Sequence, residues 1–312
     1  MRGLVGFGLG LALASSFAAA AAQQGSTSTP ELHVLPVQGT VYMLVGPGGN
    51  VTIQTGKDGV LLVDTMVESL APRIAGEVKK LSNLPIRYII DTSIDPDHLG
   101  GNAALAAMGA TGATQVPGGG ATVIANEHVV NRMAPPAKPG ETPQPVRGLP
   151  NLEYYTPTRD IYFNGEPVII FHEPKAHSDG DSIVLFRRSD VVSTGDIFTP
   201  DRYPAIDRDK GGSVQGLLDA LNHVLLLAVP ERLQEGGTRV IPGHGRVCNE
   251  ADVVEYRDMV TIVRDRIQDM VKRNLTLEQV KAAKPTLDYD TRYGASDRFV
   301  EAVYDSLKSA PQ

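Results

Sequence analysis

The sequence predicts an α/β (α+β) fold, a four-layer αββα sandwich in which two β-sheets pack face to face between outer helices. Short β-branched runs bounded by glycine-rich turns recur in both halves of the chain, which is typical of strands. Each half also has apolar residues three and four apart, the period of an amphipathic helix. Two strand-rich halves that each carry helices favour two stacked sheets covered on their outer faces.

The first half begins with three strand patterns separated by Gly-Pro-Gly-Gly-Asn and Gly-Lys-Asp-Gly turns. A helix follows, because Leu70, Ile74, Val78 and Leu81 share one face. A further apolar run has the pattern of a buried strand and ends at Asp91. The predicted strands are residues 41–45, 51–55, 60–63 and 86–90.

The second half repeats this alternation and ends in helices. An apolar helix is predicted over residues 214–228, and Asn249 is a candidate N-cap for a helix that reaches Lys272. Thr276 and Gln279 have the spacing of a capping box. The predicted strands of this half are residues 161–163, 168–172, 182–187, 191–193 and 239–241.

Composition is that of a globular protein, since 42% of the 312 residues are hydrophobic and 21% are charged, and the length allows one large domain or two small ones. We expect a single domain over residues 33–312. A net charge of -7 argues against nucleic acid as the partner and leaves a small-molecule substrate. Cys248 is the single cysteine of the sequence, so no intramolecular disulfide can form.

The amino-terminal residues have the pattern of an export signal. Arg2 precedes an apolar run over residues 4–13, and three alanines precede Gln23. The run is short and interrupted by glycine, which disfavours a stable membrane span. We therefore expect residues 1–22 to be a cleaved signal peptide, 23–32 a flexible leader, and the mature protein to be periplasmic or secreted, without stable membrane insertion.

Metal-type ligands follow several of the predicted strand ends. Asp97, His98, Asp196 and His244 supply two imidazoles and two carboxylates, the ligand types of a hydrolytic zinc or iron site. Loops that leave one edge of a sheet can converge on a shared site. Singly, each residue fits a cap or a turn, but four strand ends with such side chains favour a metal site. The stretches are residues 91–102, 173–181, 193–198 and 241–245.

Order and context of these residues resemble the metallo-β-lactamase superfamily over roughly residues 34–247. Where the family has H-x-H-x-D-H-x-G-G-N, this chain has Ser93-x-Asp95-x-Asp97-His98 followed by Gly100, Gly101 and Asn102. The family's later histidines match His177 and His244, and its bridging aspartate matches Asp196. Two further features also look like the family, the strand end at Asp64-Thr65 and the turn Gly48-Gly49-Asn50.

The resemblance implies two metal positions, of which this sequence keeps one set of ligands complete. The second position is Asp97, His98 and His244, with Asp196 shared between the two. The family's first position would be Ser93, Asp95 and His177, and serine is a poor zinc ligand. We therefore expect one secure Zn²⁺ and a doubtful second site. The carboxylate of Asp95 also makes iron or manganese an alternative, as in relatives with two irons.

The function implied is a metal-dependent hydrolase in which activated water attacks an ester, lactone or β-lactam-like amide bond, with Asp97 or Asp196 orienting that water or accepting its proton. Two alternatives remain open: a catalytically impaired binding protein on the same fold, and an iron-dependent oxidoreductase. Asp179 or Asp181 is expected to orient His177. The proline-rich residues 134–150 are expected to border the metal cleft.

Export gives the first testable prediction. Amino-terminal sequencing of the mature protein should begin near Gln23, because the apolar run and the alanines before it form the cleavage signal. Recovery from the cytoplasm with Met1 intact would contradict the prediction.

Overall fold

The computed structural model describes residues 31–110, 119–135 and 145–309. The predicted signal peptide and most of the leader lie outside these residues, as does the centre of the proline-rich stretch, 136–144. The strands are β1 (His33–Gln38), β2 (Val41–Gly46), β3 (Gly49–Gly56), β4 (Gly59–Val63), β5 (Ile86–Ile90), β6 (Thr122–Asn126), β7 (Leu152–Tyr154), β8 (Thr158–Phe163), β9 (Glu166–Glu173), β10 (Asp181–Phe186), β11 (Val191–Ser193) and β12 (Arg239–Ile241). The helices are α1 (Ala71–Leu81), α2 (Pro96–Leu99), α3 (Asn102–Met108), α4 (Glu127–Met133), α5 (Val214–Leu227), α6 (Glu250–Lys272), α7 (Leu277–Ala282), α8 (Asp290–Tyr293) and α9 (Asp297–Ser309).

The strands form two sheets that each change from antiparallel to parallel pairing. The first sheet has the order β1-β2-β3-β4-β5-β6-β7, antiparallel as far as β4 and parallel from β4 to β7. The second has the order β12-β11-β10-β9-β8, with β11 and β12 parallel. Parallel neighbours end at the same edge of their sheet, so the loops after β4 and β5 are adjacent, as are those after β11 and β12.

Side-chain alternation along the strands produces three separate apolar cores. In β4, Val60 and Leu62 pack towards the helices α1 and α3, whereas Leu61 and Val63 face the second sheet. This follows from the two-residue period of a strand, which sends successive side chains to opposite faces. A strand buried on both faces reads as a continuous apolar run, as β4 does.

The second sheet is covered in the same way on its outer face. Ile183 and Leu185 of β10 join a core with helices α5, α6 and α9, and Phe186 faces the first sheet. Three cores between four layers confirm the predicted αββα sandwich. Among the described residues, no helix is both long and apolar enough to cross a membrane.

Several predicted elements match the structure at their ends. The strands over 86–90, 191–193 and 239–241 have the predicted bounds, and α6 starts after Asn249 and ends at Lys272. The side chain of Asn249 accepts from the backbone of Asp252 in a capping box, which satisfies N–H groups at the start of the helix. Thr276 and Gln279 form the other predicted capping box.

The inter-sheet core gives a stability prediction. Phe186→Ala should lower the free energy of unfolding by about 3–5 kcal/mol, because this fully buried ring fills space between the two sheets. Denaturant unfolding measures the loss. Tyr162→Ala is the control, since that aromatic side chain on β8 is 74% exposed and should change stability little. Equal losses in both variants would contradict the assigned packing.

Candidate metal centre

The candidate centre is assembled from loops that follow strand ends of both sheets. Asp64 follows β4, and the loop after β5 carries Asp95 and the short helix α2 with Asp97 and His98. From the second sheet, His177 follows β9, Asp196 lies in the turn after β11, and His244 follows β12. The structure places the six predicted ligand side chains in two neighbouring groups, Asp97-His98-His244 and Asp95-His177-Asp196.

The ligand atoms of the first of these groups, together with Asp196, have the spacing of atoms around a common metal. His98 Nε2 lies 3.3 Å from Asp196 Oδ1, and His244 Nε2 lies 3.4 Å from the same oxygen. His244 Nε2 is also 3.3 Å from Asp97 Oδ2. Ligands about 2.0–2.1 Å from a tetrahedral zinc lie roughly 3.3–3.4 Å from one another, so these distances fit a shared ion. We call these four residues the Asp97–His98–His244–Asp196 half.

Two buried polar atoms in this half could accept or donate a hydrogen bond but lack one among the described residues. Within the described part of the chain, His98 Nε2 and Asp196 Oδ1 are buried and lack a hydrogen bond. Leaving buried polar atoms unpaired costs free energy, and native structures rarely do so without a reason. A metal ion between the two atoms would satisfy both, so the residues present fit a bound metal.

The imidazole of His98 is oriented from behind by a buried carboxylate. Its Nδ1 donates to Asp64 Oδ2 at 2.7 Å, which leaves Nε2 facing Asp196. Asp64 also accepts from the backbone N–H of Thr92 at 2.8 Å and from the Thr92 hydroxyl at 2.7 Å. Metal-binding imidazoles commonly have such a carboxylate behind them, because it fixes the tautomer and ring orientation.

The same carboxylate determines the charge on His98. Burial alone would lower the pKa of His98, but the carboxylates of Asp64 and Asp196 raise it well above the usual value. A metal bound at Nε2 would have to displace the proton that these two carboxylates favour.

The backbone around His98 is fixed by polar side chains of the same edge. The N–H and hydroxyl of Thr65 both donate to the His98 carbonyl, at 2.6 and 3.0 Å. Asn102 accepts from the Thr65 hydroxyl and donates to Asp91 at 2.8 Å. Burial and the nearby Asp64 charge raise the pKa of Asp91 well above its usual value.

The loop that carries His244 is attached to the first sheet through Asn50. The Asn50 side chain donates to the carbonyls of Pro242 and Gly245 at 2.9 and 3.0 Å, and its backbone N–H donates to Gly243 at 2.8 Å. Gly243 also passes close to the ligand carboxylate, since a Cβ at this position would lie 2.6 Å from Asp196 Oδ1. Glycine is therefore required at this position for the strand β12 loop to approach Asp196.

Both carboxylates of this half are ionised. The neighbouring His244 lowers the pKa of Asp97, an effect larger than the opposing effect of its partial burial. For Asp196, burial would raise the pKa, but the imidazoles of His98, His177 and His244 together lower it strongly. Both side chains are thus available as anionic ligands and as hydrogen-bond acceptors.

The remaining group has a different geometry. His177 Nε2 lies 2.7 Å from Asp95 Oδ2, a direct hydrogen bond and too short for two ligands of one metal. The other oxygen of Asp95 accepts from the ammonium of Lys210 at 2.5 Å. Ser93, at the position of the family's leading histidine, is buried, and its hydroxyl accepts weakly from the Asp95 N–H at 3.4 Å. We call Asp95, His177 and Lys210 the ion-pair half.

Hydrogen bonding determines the charges in the ion-pair half. His177 Nδ1 donates to the Ala205 carbonyl at 2.9 Å, so both ring nitrogens face oxygen acceptors. Burial alone would lower the pKa of His177, but the hydrogen bond to Asp95 raises it to about 9. Burial would raise the pKa of Asp95, but its bonds to His177 and Lys210 lower it to about 2. At neutral pH the half therefore consists of a carboxylate between two cations.

Two residues suggested as partners of His177 are bound elsewhere. Asp181 accepts from the backbone N–H and hydroxyl of Ser178, both at 2.7 Å, and Asp179 forms a bidentate pair with Arg132. The prediction that one of them orients His177 is wrong, because their carboxylates turn back to their own loop or out to Arg132. The Ala205 carbonyl has that role instead.

Sequence reasoning did not assign roles to three residues of the site. Asp64 and Asn50 were recognisable by their places after and before strands, and each occurs in a stretch that resembles the family. Lys210 lies in an Arg-Asp-Lys-Gly-Gly turn more than thirty residues beyond His177, and no spacing rule connects it with Asp95. Its role is visible only in three dimensions.

Comparison with known proteins identifies the family. The family model described as the metallo-beta-lactamase superfamily matches residues 44–244, from β2 to the last ligand histidine. The chain belongs to the metallo-beta-lactamase superfamily. No curated protein matches it.

Solved structures with the superfamily fold are similar to this chain. A stereoselective inverting sec-alkylsulfatase from Pseudomonas sp. superimposes with a TM-score of 0.67 at 18% identity, over 88% of this chain and 50% of the sulfatase. A metallo-beta-lactamase from Pontibacter korlensis gives a TM-score of 0.57 at 14% identity, over 74% of this chain and 99% of that one. At these identities the likeness is one of fold. The chain spans half the length of the sulfatase.

The orientation of His98 gives a prediction for metal affinity. Asp64→Asn should weaken zinc binding by about 10–100-fold, because an amide cannot accept from His98 and Thr92 as a carboxylate does. Asparagine tolerates the positive φ of 65° at this position, so the backbone should persist. Competition against a chelator of known affinity measures the effect.

The matched control is Asp190→Asn, which makes the same change at another aspartate with positive φ, 54°, in the turn before β11. Asp190 binds Thr238 and Gln234 and touches neither half of the site. Equal zinc affinities for Asp64→Asn and the unmodified protein would show that Asp64 does not support the ligand.

Proposed function

We propose that this protein is a metal-dependent hydrolase that works with one divalent ion, held by Asp97, His98, His244 and Asp196. The proposal is carried by His98 Nε2 and Asp196 Oδ1, two buried atoms that lie 3.3 Å apart and accept or donate no hydrogen bond within the described part of the chain. Membership of the superfamily supports it independently. Two imidazoles and two carboxylates form a ligand set that suits Zn²⁺, with iron or manganese as alternatives.

A bound metal would supply the nucleophile, since coordination lowers the pKa of water from 15.7 to about 7. The protein's own contribution is to orient and to accept hydrogen bonds. Asp97 is the more exposed of the two carboxylates and its lowered pKa keeps it ionised, so it could accept a hydrogen bond from the attacking water and orient it. Asp196 is more deeply buried and holds both imidazoles in place.

The substrate we propose is a small molecule with an ester, lactone, β-lactam-like amide or sulfate ester bond. Its non-reacting part has a place beside the site, in a cavity of about 730 Å³ with His177 in its wall. Asp207, Arg298 and Glu301 line the same cavity, so it offers charged groups of both signs. Pro204, Ile206 and Ala302 add apolar surface, so the cavity could receive a substrate with both polar and apolar parts.

We propose that the protein acts in the periplasm or outside the cell. The signal-like pattern of residues 1–22 supports this, and so does the absence of any requirement for a cytosolic cofactor in the proposed reaction. An exported hydrolase would meet small esters and lactams as free solutes.

The proposed function predicts one equivalent of metal per chain and its loss in two variants. His98→Ala and His244→Ala should each abolish tight binding and hydrolysis, because each removes an imidazole ligand. Elemental analysis of protein purified without chelator gives the stoichiometry, and a panel of esters, lactones, β-lactams and sulfate esters gives turnover. His33→Ala is the control, as this exposed histidine on β1 lies at the far edge strand of the first sheet.

Other results would replace the proposal. A folded protein that binds no metal would favour the binding-protein alternative. A coloured, redox-active iron centre would favour the oxidoreductase. Metal at one equivalent without turnover on any ester, lactam or sulfate ester would contradict the hydrolase assignment.

A further inference from the structure

We propose that the ammonium group of Lys210 takes the place of the family's first metal, so that the ion-pair half excludes a second ion. The inference rests on the proposed function in one respect, that the Asp97–His98–His244–Asp196 half holds the resident metal. It assigns Asp95 and His177 as partners of a built-in cation, whereas the sequence suggested them as metal ligands.

The contacts of Asp95 are the first observation. Its Oδ2 is bound by His177 Nε2 at 2.7 Å and its Oδ1 by Lys210 Nζ at 2.5 Å. Both carboxylate oxygens of Asp95, and the His177 nitrogen that would face a metal, thus already have hydrogen-bond partners. These separations are well below the roughly 3.3 Å between ligands of a tetrahedral ion, which the other half does show.

Charge is the second observation. A divalent cation at this position would lie next to the Lys210 ammonium, and like charges a few ångströms apart repel strongly away from bulk water. The ammonium is held by a second carboxylate, Asp207 Oδ2, at 2.8 Å. The Lys210 ammonium thereby compensates the negative charges of Asp95 and Asp207, as a metal ion would otherwise have to do.

The turn that carries Lys210 is attached to the loop of His177 by backbone hydrogen bonds. The Asp207 N–H donates to the His177 carbonyl at 2.8 Å, and the Lys210 carbonyl accepts from Asp179 N–H at 2.9 Å. Asp207 Oδ1 also accepts from the Lys210 N–H at 2.9 Å, which closes the turn. The backbones approach so closely that a Cβ on Gly212 would lie 2.2 Å from the His177 carbonyl oxygen.

Burial separates this arrangement from an ordinary surface ion pair. The side chains of His177 and Asp95 are 5% and 18% exposed and that of Lys210 is 31% exposed, whereas Arg273 and Asp269 are 64% and 66% exposed. Exposed pairs contribute little and move freely. The position of Lys210 is fixed in two ways. Its turn is hydrogen-bonded at several points, and its ammonium lies between two carboxylates.

The experiment counts metal ions in three variants. Mn²⁺ or Zn²⁺ is titrated into the metal-depleted full chain, and equivalents bound are compared among the unmodified protein, Lys210→Met and Lys210→Arg. Methionine keeps most of the side-chain length without the charge, and arginine keeps the charge. Lys281→Met is the control, since Lys281 is a similarly exposed lysine paired with Glu301 far along the chain. Unfolding transitions check that each variant is folded.

We expect Lys210→Met to bind one equivalent more than the unmodified protein, through Asp95, His177 and Asp196. Lys210→Arg and Lys281→Met should show no gain. With Mn²⁺, the added ion should be spin-coupled to the resident one, because ions in two-metal sites lie about 3.5–4 Å apart. Coupling distinguishes the vacated position from metal bound elsewhere on the surface.

The readout is a difference, so it separates this inference from the proposed function. If Lys210→Met binds one equivalent more than the unmodified protein, the role of Lys210 is supported, whether the unmodified protein binds one equivalent or no metal. An unmodified protein that binds no metal would overturn only the proposed function. No gain in folded Lys210→Met overturns the inference. Two coupled ions in the unmodified protein, or a gain in Lys210→Arg equal to that in Lys210→Met, would overturn it as well.

Discussion

The hydrogen bond from His98 to Asp64 is the interaction on which the rest of the site depends. It joins two strands of the first sheet, because Asp64 ends β4 and His98 lies in the loop after β5. Parallel pairing of these strands brings both residues to one edge. With Nδ1 occupied, the other nitrogen can face only Asp196, which the second sheet supplies. The candidate metal position thus depends on a contact within the first sheet, between His98 and Asp64, and on Asp196 from the second sheet.

The two halves of the site are different solutions to the same electrostatic problem. Buried carboxylates are costly unless a cation or hydrogen-bond donors compensate them. In the Asp97–His98–His244–Asp196 half, atoms remain 3.3–3.4 Å apart with two of them unpaired, an arrangement that an ion would complete. In the ion-pair half, Asp95 is compensated by His177 and Lys210 at hydrogen-bond distance. The hydrogen bonds and charges within the ion-pair half therefore compensate Asp95 without an ion.

The layers and the strand-end positions of the candidate ligands could be predicted from sequence, because both depend on local pattern. Buried strands such as β5 read directly from their apolar runs, and α6 from its cap at Asn249. The strands β1, β6 and β7 were missed, since short runs beside glycine and proline carry little periodic signal. Lys210 was missed for another reason. Its meaning comes from its distance to Asp95, 115 positions away in the chain, and only the tertiary fold creates that proximity.

The exchange of a metal for a lysine also limits the chemistry that the site can support. An ammonium carries one charge where a metal carries two, and it has no coordination position at which water could be activated. It can donate hydrogen bonds, and two of its contacts are already with Asp95 and Asp207. In the proposed reaction the nucleophile would then come from the other half alone, beside Asp97, its more exposed carboxylate. Ser93 is consistent with the proposal, because a position that faced no metal would not require an imidazole, and its small hydroxyl is buried beside the Asp95 backbone.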